Sequence, residues 1–272
     1  MLKDVTFGQY FPGDSVVHKM DPRMKLVLII VYIVMLFVAD GIIPLLLGVA
    51  VTVFAYAMSK LSFKLVWRSV KPILPIVVFT AILNIFFIEG DPLFQWKFIR
   101  ISERGVVTAV LMCVRIISLI AGSSLLTYTT TPIALTDGLE RLMKPLEKIK
   151  VPVHELSMMM TIALRFIPTL IDETGKIIAA QKARGADMDS GNAIQKAKAL
   201  VPILIPLFVS AFRRADELAL AMECRCYRGG EGRTRLKQLS LSSRDWAAAA
   251  LMTAALAGVI LLNKFGPAVM VL

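Results

Sequence analysis

The chain has 272 residues, of which 57% are hydrophobic and 19% charged, and its 31 Lys and Arg outnumber 20 Asp and Glu by eleven. Soluble domains contain about 45–50% apolar and about 25% charged residues, so this composition excludes an ordinary soluble domain and indicates a membrane protein. The three cysteines and two histidines exclude a disulfide framework and offer few ligands for a metal cluster.

Five apolar runs are long enough to cross a bilayer as helices, each crossing needing about 20 mostly apolar residues. The first two runs are joined only by Asp40 and Gly41, which predicts a tight antiparallel hairpin. The runs extend roughly from Met24 to Ala39, Gly41 to Met58, Val70 to Ile88, Gly105 to Tyr128 and Trp246 to Leu262. The fourth run contains a cation, Arg115, for which we predict an interhelical hydrogen bond. We predict that Asn84 in the third run also joins helices.

Two groups of cations flank the first helical hairpin, whereas its turn at Asp40 has none. The groups are Lys3, Lys19, Arg23 and Lys25, and Lys60, Lys64, Arg68 and Lys71. Lys and Arg in short loops favour the cytoplasmic side. The sequence therefore predicts a cytoplasmic N-terminus.

From Thr129 to Asp245 the chain changes character, since 18 Lys and Arg and 13 Asp and Glu interrupt its apolar runs. This spacing is typical of amphipathic helices that lie along a membrane surface. Three helices are predicted, roughly from Ile133 to Ile149, Val153 to Ala183 and Ala193 to Tyr227. The second would be roughly 45 Å long, more than a crossing needs.

The two long helices are predicted to end alike, each with an arginine at its C-terminus: Arg184 before Gly185, and Arg225 between Cys224 and Cys226. One interpretation is that cations simply favour the negative end of a helix dipole. The other is that each guanidinium, with its fixed fork of donors, binds carboxylates or carbonyls of a partner. Because two long helices carry the same terminal arginine, the second interpretation, docking of a partner, is favoured.

Three segments together are similar to a known family. They are Gly8 to Leu26 (GQYFPGDSVVHKMDPRMKL), Ala183-Arg184-Gly185, which matches the family's Ala-Arg-Gly signature, and Cys224-Arg225-Cys226 at the position of a second such signature. The sequence resembles the transmembrane T component of energy-coupling factor (ECF) transporters over essentially its whole length. In the third segment cysteines replace alanine and glycine, so the chain turns either at Cys226 or at Gly229 and Gly230.

The resemblance implies an all-α polytopic membrane protein with about five transmembrane helices plus long amphipathic coupling helices on the cytoplasmic side. It would join two ABC-type ATPase subunits to a membrane S component for vitamin or micronutrient uptake in a prokaryotic plasma membrane. The implied ATPase-docking residues are Ala183, Arg184, Gly185, Cys224, Arg225 and Cys226. An apolar surface toward the S component would comprise Met158, Met159, Met160, Leu164, Phe166, Ile203, Leu207 and Phe208; the alternative is that these methionines are ordinary buried core.

The resulting organisation has three parts: residues 1–128 with four transmembrane helices, residues 129–243 as the coupling-helix region, and residues 244–272 with the last helix and tail. The chain would be neither an enzyme nor a cofactor-binding protein, because ATP and magnesium would be bound by the ATPases. The alternatives are a solitary permease, disfavoured because no crossing contains a carboxylate, and an intramembrane enzyme, for which no catalytic constellation is evident. The transported substrate is not encoded in this chain, since the S component would bind it.

Overall fold

The computed structural model describes residues 10–88, 92–96, 99–186, 192–230 and 239–265. The described residues are helical except for one two-stranded antiparallel hairpin and connecting segments. The helices are α1 (Pro22–Val38), α2 (Ile42–Ser59), α3 (Phe63–Val70), α4 (Leu74–Phe87), α5 (Glu103–Thr129), α6 (Pro132–Met143), α7 (Val153–Ala183), α8 (Ala193–Cys224) and α9 (Ser243–Phe265), and the strands β1 (Pro92–Trp96) and β2 (Ile99–Ser102) lie between α4 and α5. The predicted all-α class is confirmed, with the hairpin as a small addition.

The chain divides into two compact units, which are described separately. The membrane unit comprises residues 8–139 and 238–272, and the α7–α8 unit comprises residues 140–237 together with residues 1–7, which lie outside the described residues. The three-part organisation predicted from the sequence stays a prediction.

Within the described residues, four stretches are long and apolar enough to cross a membrane: Ile42–Ser59, Lys64–Phe87, Glu103–Thr129 and Ser243–Lys264. They correspond to four of the five predicted crossings. The remaining one is α1, whose 17 residues stand at the lower limit of about 17 for a crossing helix. Large apolar side chains on these helices are exposed, Phe79 to 60% and Phe87 to 78%, as expected where the neighbour is lipid rather than water.

Helix α1 forms the centre of the membrane unit, since it packs against α2, α5 and α9. Its Met35 and Leu36 are fully buried and form a core with Tyr32, Leu45 and Val259. The Tyr32 hydroxyl donates to the carbonyl of Ser118 on α5 at 3.0 Å and shares a hydrogen bond with the Thr52 hydroxyl on α2. The polar end of this buried ring is therefore satisfied by both neighbouring helices.

The start of α1 is fixed by buried carboxylates. Asp21 caps the helix by accepting from the Arg23 backbone N–H at 2.9 Å, and it also pairs with the Arg23 guanidinium. Asp245, on the first turn of α9, accepts from the Asp21 backbone N–H at 3.0 Å. Lys25 donates to the Thr129 carbonyl at 2.9 Å at the end of α5. The Asp-Pro-Arg-Met-Lys stretch of the N-terminal signature thus joins the ends of three helices.

The turn between α1 and α2 is held by side chains from two other helices. Arg115 on α5 donates to the Ala39 carbonyl at 2.6 Å, and Asn263 on α9 donates to the Val38 carbonyl and accepts from the Asp40 N–H. The predicted tight hairpin and the interhelical hydrogen bond of Arg115 are confirmed. These donors satisfy carbonyls that the end of α1 leaves without a helical partner.

The prediction that Asn84 joins helices is wrong, because its amide donates to the Thr80 carbonyl of its own helix at 2.8 Å. The helix predicted from Ile133 to Ile149 ends earlier as an α-helix, at Met143, and continues as a 3₁₀ helix over Lys144–Ile149. Pro145 explains this change, because it has no N–H to continue the α-helical hydrogen bonds. Sequence analysis also missed α3, an amphipathic helix preceding the third apolar run.

Candidate docking site at the ends of two long helices

Helix α7 spans Val153–Ala183, as the sequence predicts, and ends in a Schellman cap. Arg184 is the C-cap residue, and Gly185 follows in the left-handed conformation with φ +85°. The Gly185 N–H donates to the Lys182 carbonyl and the Ala186 N–H to the Gln181 carbonyl, both at 3.0 Å. These two bonds satisfy carbonyls that would otherwise lack partners at the helix end.

Helix α8 ends with the same cap although its sequence differs. Arg225 is the C-cap residue, with φ −92° and ψ 13° against −86° and 5° at Arg184. Cys226 takes the left-handed position with φ +56°, its N–H donating to Glu223 at 2.8 Å, and the Tyr227 N–H donates to Met222 at 3.1 Å. Of the two sequence alternatives, the turn therefore occurs at Cys226, while Gly229 has its own positive φ of +89° farther along.

We define the α7 tip as Ala183, Arg184 and Gly185, and the α8 tip as Cys224, Arg225 and Cys226. All six residues are exposed in the described structure. Each tip thus presents one guanidinium immediately after the last helical turn, where the preceding carbonyls are already bonded within the cap. The backbone of each arginine is therefore held by a capped helix end rather than by a loop.

The two helices pack against each other through a charged contact that sequence reasoning missed. Glu173 on α7 pairs with Arg214 on α8 at 2.6 Å and accepts from the Ser210 hydroxyl at 2.5 Å. The side chains of Glu173 and Arg214 are only 23% and 28% exposed. A charge-assisted bond in such partial shelter is stronger than a surface ion pair.

A second contact satisfies a carbonyl that proline leaves open. In a helix the Pro202 carbonyl would accept from residue 206, but Pro206 has no N–H. The Gln181 side chain on α7 donates to this carbonyl at 3.2 Å. With Glu173 facing Arg214 and Gln181 facing Pro202, the numbering rises on α7 as it falls on α8, so the helices run antiparallel.

Because the packing is antiparallel, the two tips lie on opposite sides of the charged contact, at similar distances from it along their helices. Arg184 follows Glu173 by eleven residues, and Arg225 follows Arg214 by eleven. Each arginine is therefore about 16 Å along its own helix from the ion pair, at about 1.5 Å per residue. No proline interrupts either stretch, so each forms a continuous helical arm from the contact to its cap.

Residues 13–236 match the family described as cobalt transport protein, CbiQ. The energy-coupling factor transporter transmembrane protein EcfT of Clostridium kluyveri is 58% identical over 250 residues, covering 91% of this chain and 93% of the relative. The EcfT proteins of Ruminiclostridium cellulolyticum and Acidaminococcus fermentans are 54% and 50% identical, covering 97% of this chain and 98% and 96% of the relatives. The chain belongs to the EcfT family.

This EcfT chain is accordingly the transmembrane component of an ECF transporter, a prokaryotic membrane protein that functions with other subunits. The resemblance to T components drawn from the sequence is confirmed. Family membership also identifies a transport component rather than a catalytic enzyme.

The predicted apolar surface of this EcfT chain is mixed in exposure. Met159 and Phe208 are 55% and 60% exposed, Ile203 is buried at 5%, and the remaining residues are half-buried. The remaining residues are Met158, Met160, Leu164, Phe166 and Leu207. A contact of this surface with an S component stays a prediction.

A cluster of Glu140, His154 and Ser157 lies where α6 and α7 meet in the α7–α8 unit. The Ser157 hydroxyl donates to one oxygen of Glu140, and His154 Nδ1 is 3.4 Å from the other. A Cβ atom on Gly230 would lie 2.7 Å from the His154 ring, so the segment after the α8 tip passes directly against this histidine. The serine bonds the carboxylate and not the histidine, so this cluster does not contain the Ser–His pair by which many hydrolases activate a serine.

Replacing Cys226 by Gly is expected to strengthen the α8 cap by about 0.5–1 kcal/mol, because a left-handed conformation costs a residue with a Cβ about 1–2 kcal/mol. Hydrogen exchange at the Tyr227 amide, which bonds Met222 across the cap, should slow by a few-fold. Cys226→Val is the opposing variant and should speed exchange, since β-branched residues tolerate positive φ poorly. Faster exchange in Cys226→Gly than in the parent chain would contradict the cap assignment.

Proposed function

We propose that this chain is the energy-coupling subunit that joins two ABC-type ATPase subunits to a membrane S component and transmits ATP-driven motion for vitamin or micronutrient uptake. The observation that carries the proposal is the pair of matching, exposed arginine caps on two antiparallel helices. The helix dipole alone would favour some cation near the C-terminal end of each helix. The dipole does not explain why α8 ends in the same Schellman cap as α7, since this cap requires Cys226 to adopt a φ of +56°.

Each tip docks in a groove of one ATPase, with Arg184 and Arg225 as the main polar anchors. A guanidinium can bind carboxylates or backbone carbonyls through two parallel hydrogen bonds, which fixes the direction of approach as well as adding affinity. Two tips of the same design suit two ATPase subunits of similar fold.

When the two ATPase subunits bind ATP they close on each other, and this closure moves the two tips relative to each other. The contact of Glu173 with Arg214 and Ser210 supports this step, because a bonded crossing point converts displacement of one helix end into rotation of both helices. The half-buried and exposed apolar residues of α7 and α8 carry that rotation to the S component. Methionines suit this surface, since a flexible thioether repacks against more than one partner.

The N-terminus and the tips lie on the cytoplasmic side of the plasma membrane, as the distribution of Lys and Arg favours. The chain binds no cofactor of its own. ATP and magnesium are bound by the ATPase subunits, consistent with a sequence that has no Gly-rich phosphate loop ending in Lys-Ser or Lys-Thr.

The test is affinity purification through a tag on this chain, from its native membrane in mild detergent, followed by mass spectrometry of the co-purifying proteins. We expect two ATPase chains and at least one small membrane protein in stoichiometric amounts. The alternative, a solitary permease, predicts substrate uptake by vesicles that contain this chain alone. Uptake without ATPase chains would overturn the proposal.

A further inference from the structure

A stripe of three cations and one tryptophan runs along α3 and the turn that follows it. Lys64, Trp67, Arg68 and Lys71 are spaced by three, one and three residues, which places them on one helical face, and all four are exposed. We call this face the α3 stripe. None of its three cations forms an ion pair within the described residues.

The opposite face of α3 is fixed to the membrane unit. Val70 is 5% exposed, and the Ser69 hydroxyl shares a hydrogen bond of 2.6 Å with the Tyr128 hydroxyl at the end of α5. The Tyr128 hydroxyl also lies 3.3 Å from the Leu65 carbonyl. The stripe is therefore held outward by the fold rather than carried on a loose loop.

The position of the stripe along the helix matches a membrane interface. Beyond Lys71 the chain continues as α4, whose outward residues are apolar, with Ile76 and Phe79 each 60% exposed and Phe86 50% exposed. These side chains belong to the stretch Lys64–Phe87, which is long and apolar enough to cross the bilayer and has the α3 stripe at its N-terminal end. The change from apolar to basic at Lys71 marks the level of the lipid headgroups, where tryptophan is also enriched.

The charge of this region determines the lipid class. No Asp or Glu occurs between Gly41 and Ile88, whereas Lys60, Lys64, Arg68 and Lys71 all do. Clustered Lys and Arg at the end of a transmembrane helix attract anionic lipids, each contributing about a fivefold preference. We propose that the α3 stripe binds the headgroups of anionic phospholipids, with Trp67 seated at the interface between them. This inference goes beyond the proposed coupling function and does not depend on it.

The test uses the full chain reconstituted in phosphatidylcholine vesicles containing a minor fraction of brominated lipid, which quenches nearby tryptophan fluorescence. Trp96 and Trp246 are replaced by Phe, leaving Trp67 as the single tryptophan. Brominated phosphatidylglycerol is expected to quench Trp67 at least about twice as strongly as the same fraction of brominated phosphatidylcholine. The difference should shrink in about 1 M salt, because exposed charges are then screened.

The deciding variant is Lys64→Gln, Arg68→Gln and Lys71→Gln together, which should bring the two brominated lipids to equal quenching. The charge-matched control, Lys144→Gln, Lys148→Gln and Lys150→Gln, removes three exposed cations from the α7–α8 unit and should keep the preference. Equal quenching in the parent protein, or a preference that survives the α3 substitutions, would overturn the proposal. Neither outcome bears on ATPase binding.

Discussion

Substituting Glu for both Arg184 and Arg225 is expected to release the ATPase subunits while the chain still inserts in the membrane. Both side chains are exposed beyond the last helical turn, so the substitution leaves the described hydrogen bonds of the caps in place. Removing one partner of a buried charged contact between proteins costs about 2–5 kcal/mol. With two such contacts reversed in sign, co-purification of the ATPases should fall by more than about 100-fold.

The matched control is Lys176→Glu with Arg213→Glu, which changes the charge by the same amount on the same two helices. Both residues are exposed and lie two or more turns before the tips. We expect this control to retain the ATPases. Retention by the tip variant, or equal loss from the control, would remove the proposed role of the two arginines.

The second large effect concerns stability and is expected for Gly122→Ala in α5. A Cβ atom at this position would lie 2.3 Å from Cε1 of Tyr32 on α1. Tyr32 is 4% exposed and bonded to Thr52 and Ser118, so the ring cannot move without breaking those bonds. Overpacking costs about 1–3 kcal/mol, and each lost buried hydrogen bond adds about 1–3 kcal/mol. The thermal midpoint in detergent should fall by several degrees.

The control for this prediction is Gly175→Ala in α7, where nothing lies within 4 Å of the added Cβ. In a helix interior Ala is favoured over Gly by about 0.5–1 kcal/mol, so the same chemical change should raise the thermal midpoint slightly. A Gly122→Ala protein as stable as the parent would show that α1 and α5 do not approach each other as described.

The sequence predicts those helices and turns whose ends are marked by residues close to them in the chain. The bounds of α7 follow from Pro152 before it and Gly185 after it, and the turn at Asp40 follows from the absence of any longer linker between two apolar runs. The helix α3 was missed because its eight residues are fewer than the roughly 11–18 over which a helical period is recognised, although its amphipathic pattern is pronounced. The hairpin after α4 was likewise too short to stand out from a polar loop.

Contacts between distant residues could not be predicted in the same way. Glu173 and Arg214 are 41 residues apart, and each helix offers several other charges that could have served as partners. Arg115 was correctly assigned an interhelical bond because no carboxylate lies within the crossings, yet its acceptor, the Ala39 carbonyl, depends on packing. The tip at Cys224-Arg225-Cys226 was located from the family signature, whereas its turn at Cys226 needed backbone geometry.

If this chain couples ATP to transport as proposed, the two tips move relative to each other when the ATPases bind ATP. A cysteine-free background is available through Cys113→Ser, Cys224→Ala and Cys226→Gly, the last two of which restore the Ala-Arg-Gly signature at the α8 tip. Spin labels at Ala180→Cys and Leu220→Cys, both exposed and several residues beyond the crossing contact, would then report the distance between the two arms by electron–electron double resonance in the assembled complex. We expect this distance to change by several Å between the nucleotide-free and ATP-bound states. The same distance distribution in both states would contradict the coupling role of the two helices.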